Sequence, residues 1–384
     1  MAIRVLVVDA LVGNDYSMCL GRGLTKTNVE VELVTVGERQ SPFEITFPLR
    51  KWAPSKKASG SKIKKLGDYF KYLFRLYKHL KQTSRQVETV AHFQFFRLER
   101  VETFFLLFLR LAGIRLVYTA HNILPHESSK IDRFLKYIVY KSSHGIIVHS
   151  AFIKDALLKS FNVDPNKIHV VPHGNFDHYL PETTLSSHEA REELGLAEDD
   201  VVLLFFGYIR AYKGLDMLLE AFDIAASKNK RLKLVIAGMP HTAELEKSTK
   251  AFIEKSSAKD RILFHGRFIP NEEIKHFFVS ADLVVLPYKH IYHSGIIHLA
   301  YSYGKAVLAT NVGDFSETIV QEKSGYIVPE NTVESFADHL LKLAENEELL
   351  PDMGAYARNL SSSKYSWTDI GKQTEAVYKS VLKG

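Results

Sequence analysis

Along the chain, short runs of β-branched and other apolar residues alternate with longer stretches whose apolar positions recur at helical spacing. The runs predict strands over 3–8, 30–36, 89–93, 115–120, 145–148 and 168–171. A stretch at 172–182 then carries Pro, Gly, Asn and Asp without period, as a connector does. Beyond it the runs resume over 201–206, 232–237, 261–264, 282–286, 306–309 and 326–328. Strands alternating with helices are the pattern of parallel sheets covered on both faces. The expectation is therefore an α/β chain of two doubly wound, Rossmann-like domains, at 1–175 and 183–365. In 366–384, Trp367, Ile370, Thr374, Val377, Tyr378 and Val381 lie near helical spacing, which predicts a closing helix that packs back on the first domain. Open parallel sheets bind ligands beyond the carboxyl ends of their strands, so the loops after strands, facing a cleft between the domains, are the expected site.

One helical stretch changes the picture of the surface. Between Arg50 and Arg85 twelve lysines and arginines face Asp68 alone. Ile63, Leu66, Phe70, Leu73, Tyr77 and Leu80 fall on one helical face, with Lys64, Lys71, Arg75 and Lys78 largely off it. The apolar face is expected in the core and the basic side against an anionic membrane surface. The aromatic residues follow the helix period, which suits packing better than base stacking, so no nucleic-acid partner is expected.

Composition narrows the class. With 384 residues, 46% hydrophobic and 24% charged, the chain has material for two cores and is neither disordered nor fibrous. Cys19 is its one cysteine, which excludes an intrachain disulfide and a multi-cysteine metal cluster and suggests a reducing, cytoplasmic setting. The N-terminal apolar run is too short for a signal peptide, and the greasy stretch 104–116 is interrupted by Arg110 and Arg115, short of the roughly 20 residues that span a bilayer. The net charge of +6 favours an anionic partner.

The chemistry concentrates in the second half. Gly207-Tyr208-Ile209-Arg210-Ala211-Tyr212-Lys213-Gly214 joins a strand to a helix. Its glycines permit a tight turn and free helix-start amides for phosphate oxygens. Arg210 offers a planar fork and Lys213 a mobile point charge, together suited to neutralising a diphosphate leaving group. Ser294-Gly295 opens another helix whose amides suit a second side of the same anion. Glu317, near a helix start, either accepts hydrogen bonds from sugar or ribose hydroxyls or favours the helix dipole. In the first half, His121 lies just beyond a strand, placed for hydrogen bonding or acid–base work or for holding its own loop. His92, His126 and Glu127 are candidates for an acceptor side. Gly13 follows the first strand.

Several chemistries lack their parts. There is no Gly-x-Gly-x-x-Gly after the first strand, no Walker loop, no His-Glu-x-x-His and no Gly-x-Ser-x-Gly. No two aspartates are separated by one residue, so no metal bridging a diphosphate is expected, and protein cations would take that role.

These residues resemble the GT-B glycosyltransferases, most closely family 4, the retaining, nucleotide-sugar-dependent enzymes. The likeness covers the order of both domains, the loop Gly207 to Gly214, the Leu-x-Ile-Ala-Gly strand ending at Gly238, His265-Gly266-Arg267-Phe268, Gly304-Lys305-Ala306-Val307, Gly313, Glu317 and the closing Trp-bearing helix. It implies that Arg210 and Lys213 bind the donor diphosphate and that the backbone at Arg267 and Phe268 cradles the nucleobase. By the same resemblance Glu317 contacts the donor, His121 touches the transferred sugar and Gly13 lets acceptor and phosphate approach. It further implies a nucleotide-diphosphate sugar as co-substrate with no other cofactor, a glycan or polyprenyl-linked acceptor, and a place in the cytoplasm, peripheral on the inner face of the membrane. One departure stands out: the two positions where the family usually carries glutamates hold Ile291 and Leu299. The competing readings are another GT-B enzyme, an epimerase or a phosphorylase, and a non-catalytic, membrane-associated, nucleotide-binding partner subunit.

Overall fold

A computed structural model describes residues 3–11, 15–36, 41, 43–54, 61–123, 129–180 and 185–384. The chain divides into two compact units, Met1–Gly174 with Tyr365–Gly384, and Asn175–Lys364.

The first unit holds β1 (Ile3–Asp9), α1 (Tyr16–Leu24), β2 (Val29–Val36), β3 (Leu49–Ala53), α2 (Lys62–Thr83), β4 (Thr89–Phe95), α3 (Glu99–Leu111), β5 (Arg115–Thr119), α4 (Lys130–Ser142), β6 (Gly145–Val148), α5 (Ala151–Ser160) and β7 (Ile168–Val170). Its strands form a seven-stranded sheet in the order β3-β2-β1-β4-β5-β6-β7, all pairs parallel. β3 escapes sequence reading because it is an edge strand of sequence LRKWA: one side meets solvent, so charge is tolerated there. Arg50 on β3 pairs with Glu32 on β2 at 3.1 Å.

α2 departs from its expected orientation. Ile63, Leu66 and Phe70 are exposed, and the buried set is Tyr69, Tyr72, Leu73, Leu76, Leu80 and Thr83. The apolar positions of α2 spread over more than one face: Tyr69, Tyr72, Leu76 and Leu80 turn inward, and Ile63, Leu66, Phe70 and Phe74 are left outside.

The second unit holds α6 (Ser187–Leu194), β8 (Val201–Phe206), α7 (Leu215–Lys228), β9 (Leu232–Ala237), α8 (Ala243–Lys255), β10 (Ile262–His265), α9 (Asn271–Ser280), β11 (Leu283–Leu286), α10 (Gly295–Ser302), β12 (Ala306–Ala309), α11 (Phe315–Thr318), β13 (Gly325–Ile327), α12 (Val333–Glu345) and α13 (Leu350–Ser362). The six strands run parallel in the order β10-β9-β8-β11-β12-β13. Leu218 and Phe222 of α7 and Phe336 and Leu340 of α12 belong to its core, each fully buried. The order of connection reverses between β8 and β11, the switch point beyond which such sheets open a crevice at their carboxyl ends.

The last helix, α14 (Trp367–Lys383), belongs to the first unit. A side chain at Gly23 of α1 would come within 2.0 Å of the Trp367 carbonyl oxygen, and one at Gly174 within 2.3 Å of the indole. Both positions admit only glycine, and the helix seats against them.

Candidate functional site

β8 is buried along its whole length and ends at Phe206, so the chain must turn at once. Gly207 does so at φ 94°, its amide donating to the Ala237 carbonyl at 2.9 Å. A single 3₁₀ turn, Ala211–Lys213, leads to Gly214 at φ 68°, the N-cap of α7. A Cβ on Gly214 would stand 1.9 Å from the Pro287 carbonyl oxygen, so the loop after β11 lies directly against the loop after β8. The two loops flank the switch point.

Lys213 turns into this junction. Its Nζ lies 3.2 Å from where a Cβ on Gly207 would sit, and that same point is 3.3 Å from Ile296 Cδ1 in the first turn of α10. Nζ is also 5.5 Å from the centre of the Tyr288 ring. Ser294, the N-cap of α10, donates from its hydroxyl to Tyr288 Oη at 3.5 Å. The structure thus brings together Gly207, Lys213, Ser294 and Gly295, with Arg210 close enough to act on the lysine.

The electrostatics are unusual. Lys213 is 8% exposed, and its ammonium pKa is pushed down to about 8, first by burial and then by the neighbouring Arg210 charge. Among the described residues no carboxylate pairs with Lys213 or Arg210, whereas the adjacent Lys289 is matched by Asp216 at 2.5 Å. A buried cation without a counter-charge is costly, and two cations together beside helix-start amides have the chemistry that suits an anion. Arg210 also lines a pocket of about 320 Å³ with Leu219, Leu245 and Phe252.

Next to this junction, His293 donates from Nδ1 to Asp314 Oδ2 at 2.7 Å, and Asp314 is 1% exposed. Gly313 lets the two loops meet, since a Cβ there would be 2.4 Å from the Ile291 carbonyl oxygen. Leu299 is buried in the core, so the polar side chain at this edge is His293 and not a glutamate. Sequence reading missed the pair because 21 residues separate its members and only the β11 and β12 loops join them.

Arg267 and Phe268 follow β10, the edge strand. Both are exposed, and the Arg267 guanidinium is held by Glu273 and by the Phe268 carbonyl. Glu317 is exposed on α11, after β12.

In the first unit, His92 is not on an acceptor surface. It is fully buried, with Tyr378 Oη and Thr119 Oγ1 each 2.7 Å from a ring nitrogen. Burial pushes its pKa down to about 3, so it stays neutral and ties β4 and β5 to α14. His121 follows β5 with both ring nitrogens engaged: Nε2 with Gln94 Oε1 at 3.0 Å, Nδ1 with His149 Nε2 at 3.1 Å. His149 in turn donates from Nδ1 to the Val171 carbonyl at 3.0 Å. The His121 ring stacks on Phe95 at 4.1 Å. His149, 5% exposed, gave no sequence signal, since its partners come from other strands. Gly13, His126 and Glu127 lie outside the described residues.

Two successive doubly wound parallel sheets are the pattern of the GT-B class of fold, and known structures agree. Anabaena HepE in complex with UDP superposes with a TM-score of 0.75 at 16% identity, covering 99% of this chain and 100% of that one. Sucrose-phosphate synthase from Thermosynechococcus elongatus gives 0.71 at 16% identity, with 99% of each chain covered. Residues 15–175 match the family described as Glycosyltransferase Family 4, and 186–360 match Glycosyl transferases group 1. The chain belongs to the family 4 type of GT-B glycosyltransferases, a class of sugar-transferring enzymes. Similar relatives include an uncharacterized glycosyltransferase of Methanocaldococcus jannaschii, 26% identical over 262 residues, with 67% of this chain and 65% of the relative covered. The lipopolysaccharide 1,2-N-acetylglucosaminetransferase of Salmonella typhimurium is 29% identical over 282 residues, with 67% and 72% covered. The matched region spans about two thirds of the length of the first of these.

Proposed function

We propose that this protein transfers a hexose from a nucleoside-diphosphate sugar to a glycan or lipid-linked glycan, working on the inner face of a membrane with Lys64, Lys71, Arg75 and Lys78 toward anionic lipid. The observation that carries the donor assignment is the buried Lys213, which no carboxylate pairs among the described residues, beside Arg210 and the amides at Ser294-Gly295. Inorganic or small organic anions would also be attracted there. A diphosphate with a sugar attached is favoured by what the relatives are named for and by the UDP and UDP-glucose held in HepE. His293, oriented by Asp314, is the group assigned to the sugar end, where the usual glutamates are replaced.

In this reading the bond between sugar C1 and the β-phosphate oxygen breaks while Arg210, Lys213 and the α10 amides take up the developing charge. The acceptor oxygen bonds C1 on the same face, and its proton passes to the departing phosphate oxygen, so configuration is retained. Arg267 and Phe268 supply backbone for the base, and no metal is required.

Replacing Arg210 or Lys213 by Ala should lower turnover by about 10² or more, the usual cost of losing one charge-stabilising donor. Wild-type rates in both variants would remove the assignment. The loss of both glutamate positions also favours a second reading, a nucleotide-binding subunit without turnover. Thermal stabilisation by a panel of sugar nucleotides, beginning with uridine diphosphate sugars, measures binding, and slow release of nucleoside diphosphate from the bound donor measures catalysis. Stabilisation without release would select the non-catalytic reading.

A further inference from the structure

The face shared by α2 and α3 carries apolar side chains that no described part of the chain covers. Along α2, Ile63 is 85% exposed, Phe70 53% and Phe74 58%, and along α3, Phe104 is 54% exposed and Phe108 46%. These positions follow helical spacing, so each helix presents a stripe. Between the stripes runs a groove of about 490 Å³, lined by Phe70, Phe74 and Tyr77 on one wall and Phe104, Phe105 and Phe108 on the other. Its lining is entirely aromatic and aliphatic.

Around the groove the charge is predominantly positive. Lys62, Lys64, Lys65, Lys71, Arg75 and Lys78 are all exposed on α2, and Asp68 is its one acid. Lys78 Nζ sits over the Phe74 ring, 4.7 Å from its centre, so a basic and an apolar side chain share this surface. α2 is anchored by Tyr72, Leu76 and Leu80 in the core, which fixes the exposed stripe in place.

We infer that this face lies on an anionic lipid leaflet, with Phe70, Phe74, Phe104 and Phe108 among the acyl chains and the α2 lysines and Arg75 at the head groups. The inference rests on the lipid-facing part of the proposed function and changes its character: the contact is insertion of aromatic side chains, and not attraction of a basic face alone. An amphipathic helix with a basic rim and a greasy crest is the chemistry of the membrane interface. A second copy of the chain fits poorly, because two faces of the same strong positive charge would meet. A nucleic acid fits poorly too, because a single hydroxyl, on Tyr77, is the hydrogen-bonding group the groove's lining offers to read it.

Co-sedimentation of the full chain with vesicles tests this. Wild type should pellet with vesicles containing phosphatidylglycerol, and weakly with pure phosphatidylcholine. Phe74→Ser with Phe104→Ser, both at exposed positions, should lose vesicle affinity by at least about tenfold, with an unchanged thermal transition. Lys64→Gln with Lys71→Gln should lower the affinity and flatten its salt dependence. A Phe104→Trp reporter should be quenched by lipids brominated on the acyl chain. Failure of wild type to bind phosphatidylglycerol vesicles would overturn the inference. So would an unquenched Trp in bound protein, or a wild-type dimer that Phe74→Ser with Phe104→Ser separates. Stabilisation by sugar nucleotides, read on the same samples, reports the donor seat separately: its loss with vesicle binding intact would sink the transferase reading and leave this one standing.

Discussion

Lys213 shows at the scale of one side chain how a site is held ready at the expense of the fold. Its ammonium is nine-tenths buried, lacks a described counter-charge and is lowered from 10.5 to about 8. That gap corresponds to a cost on the order of 3 kcal/mol for keeping the charge in the folded state at neutral pH. The direction of the pH effect follows. Between about 8 and 10.5 the unfolded chain keeps a proton the folded chain has lost, so Lys213's contribution to stability rises with pH across that window and the full cost is present below it. Lys213→Met should therefore stabilise the protein at neutral pH, by roughly 1–3 kcal/mol, with the gain shrinking as pH climbs past 8. Denaturant unfolding at neutral and alkaline pH measures this, and a Met variant no more stable than wild type at neutral pH would contradict it. The same variant should lose donor binding, because the anion is what repays the buried charge.

Among the elements, the corner between β12 and α11 matters most for the site. Asp314 sits at the start of α11, fully buried, and its carboxylate fastens His293 in the approach to α10. Strand β12 is four residues of sequence AVLA, all buried, so packing fixes where the corner after it begins. Asp314→Asn keeps the volume and an acceptor oxygen but removes the charge that favours the Nδ1–H tautomer. It should leave nucleoside diphosphate binding nearly unchanged while raising KM for the intact sugar nucleotide by about tenfold, the size of one charge-assisted hydrogen bond. Equal losses for nucleotide and sugar nucleotide would place the pair in structural support alone. The half-covered α2 is the contrasting element: the face with Tyr69, Tyr72, Leu76 and Leu80 is part of a core, and the face with Ile63, Phe70 and Phe74 is surface.

At the scale of the whole molecule, the first unit is completed by the end of the chain. Tyr378 of α14 bonds His92 in the middle of the sheet, and Ile370 and Tyr378 are fully buried. Tyr378→Phe leaves a buried ring nitrogen without its partner and should cost about 1–3 kcal/mol. Calorimetry of that variant checks it, and an unshifted transition would show the bond to be dispensable. The sequence by itself placed every strand but β3 to within a residue or two, because strands buried on two faces read as continuous apolar runs whatever lies beside them. It also marked Gly207, Arg210, Lys213 and Gly214, since a strand, a turn and a helix start within fourteen residues form a local unit. Tertiary structure alone decided the rest. His92 went to the core, β3 became an edge, α2 left half its apolar stripe uncovered, and His293 met Asp314. Each of those outcomes depends on which surface another part of the chain happens to cover, and local periodicity carries no record of that.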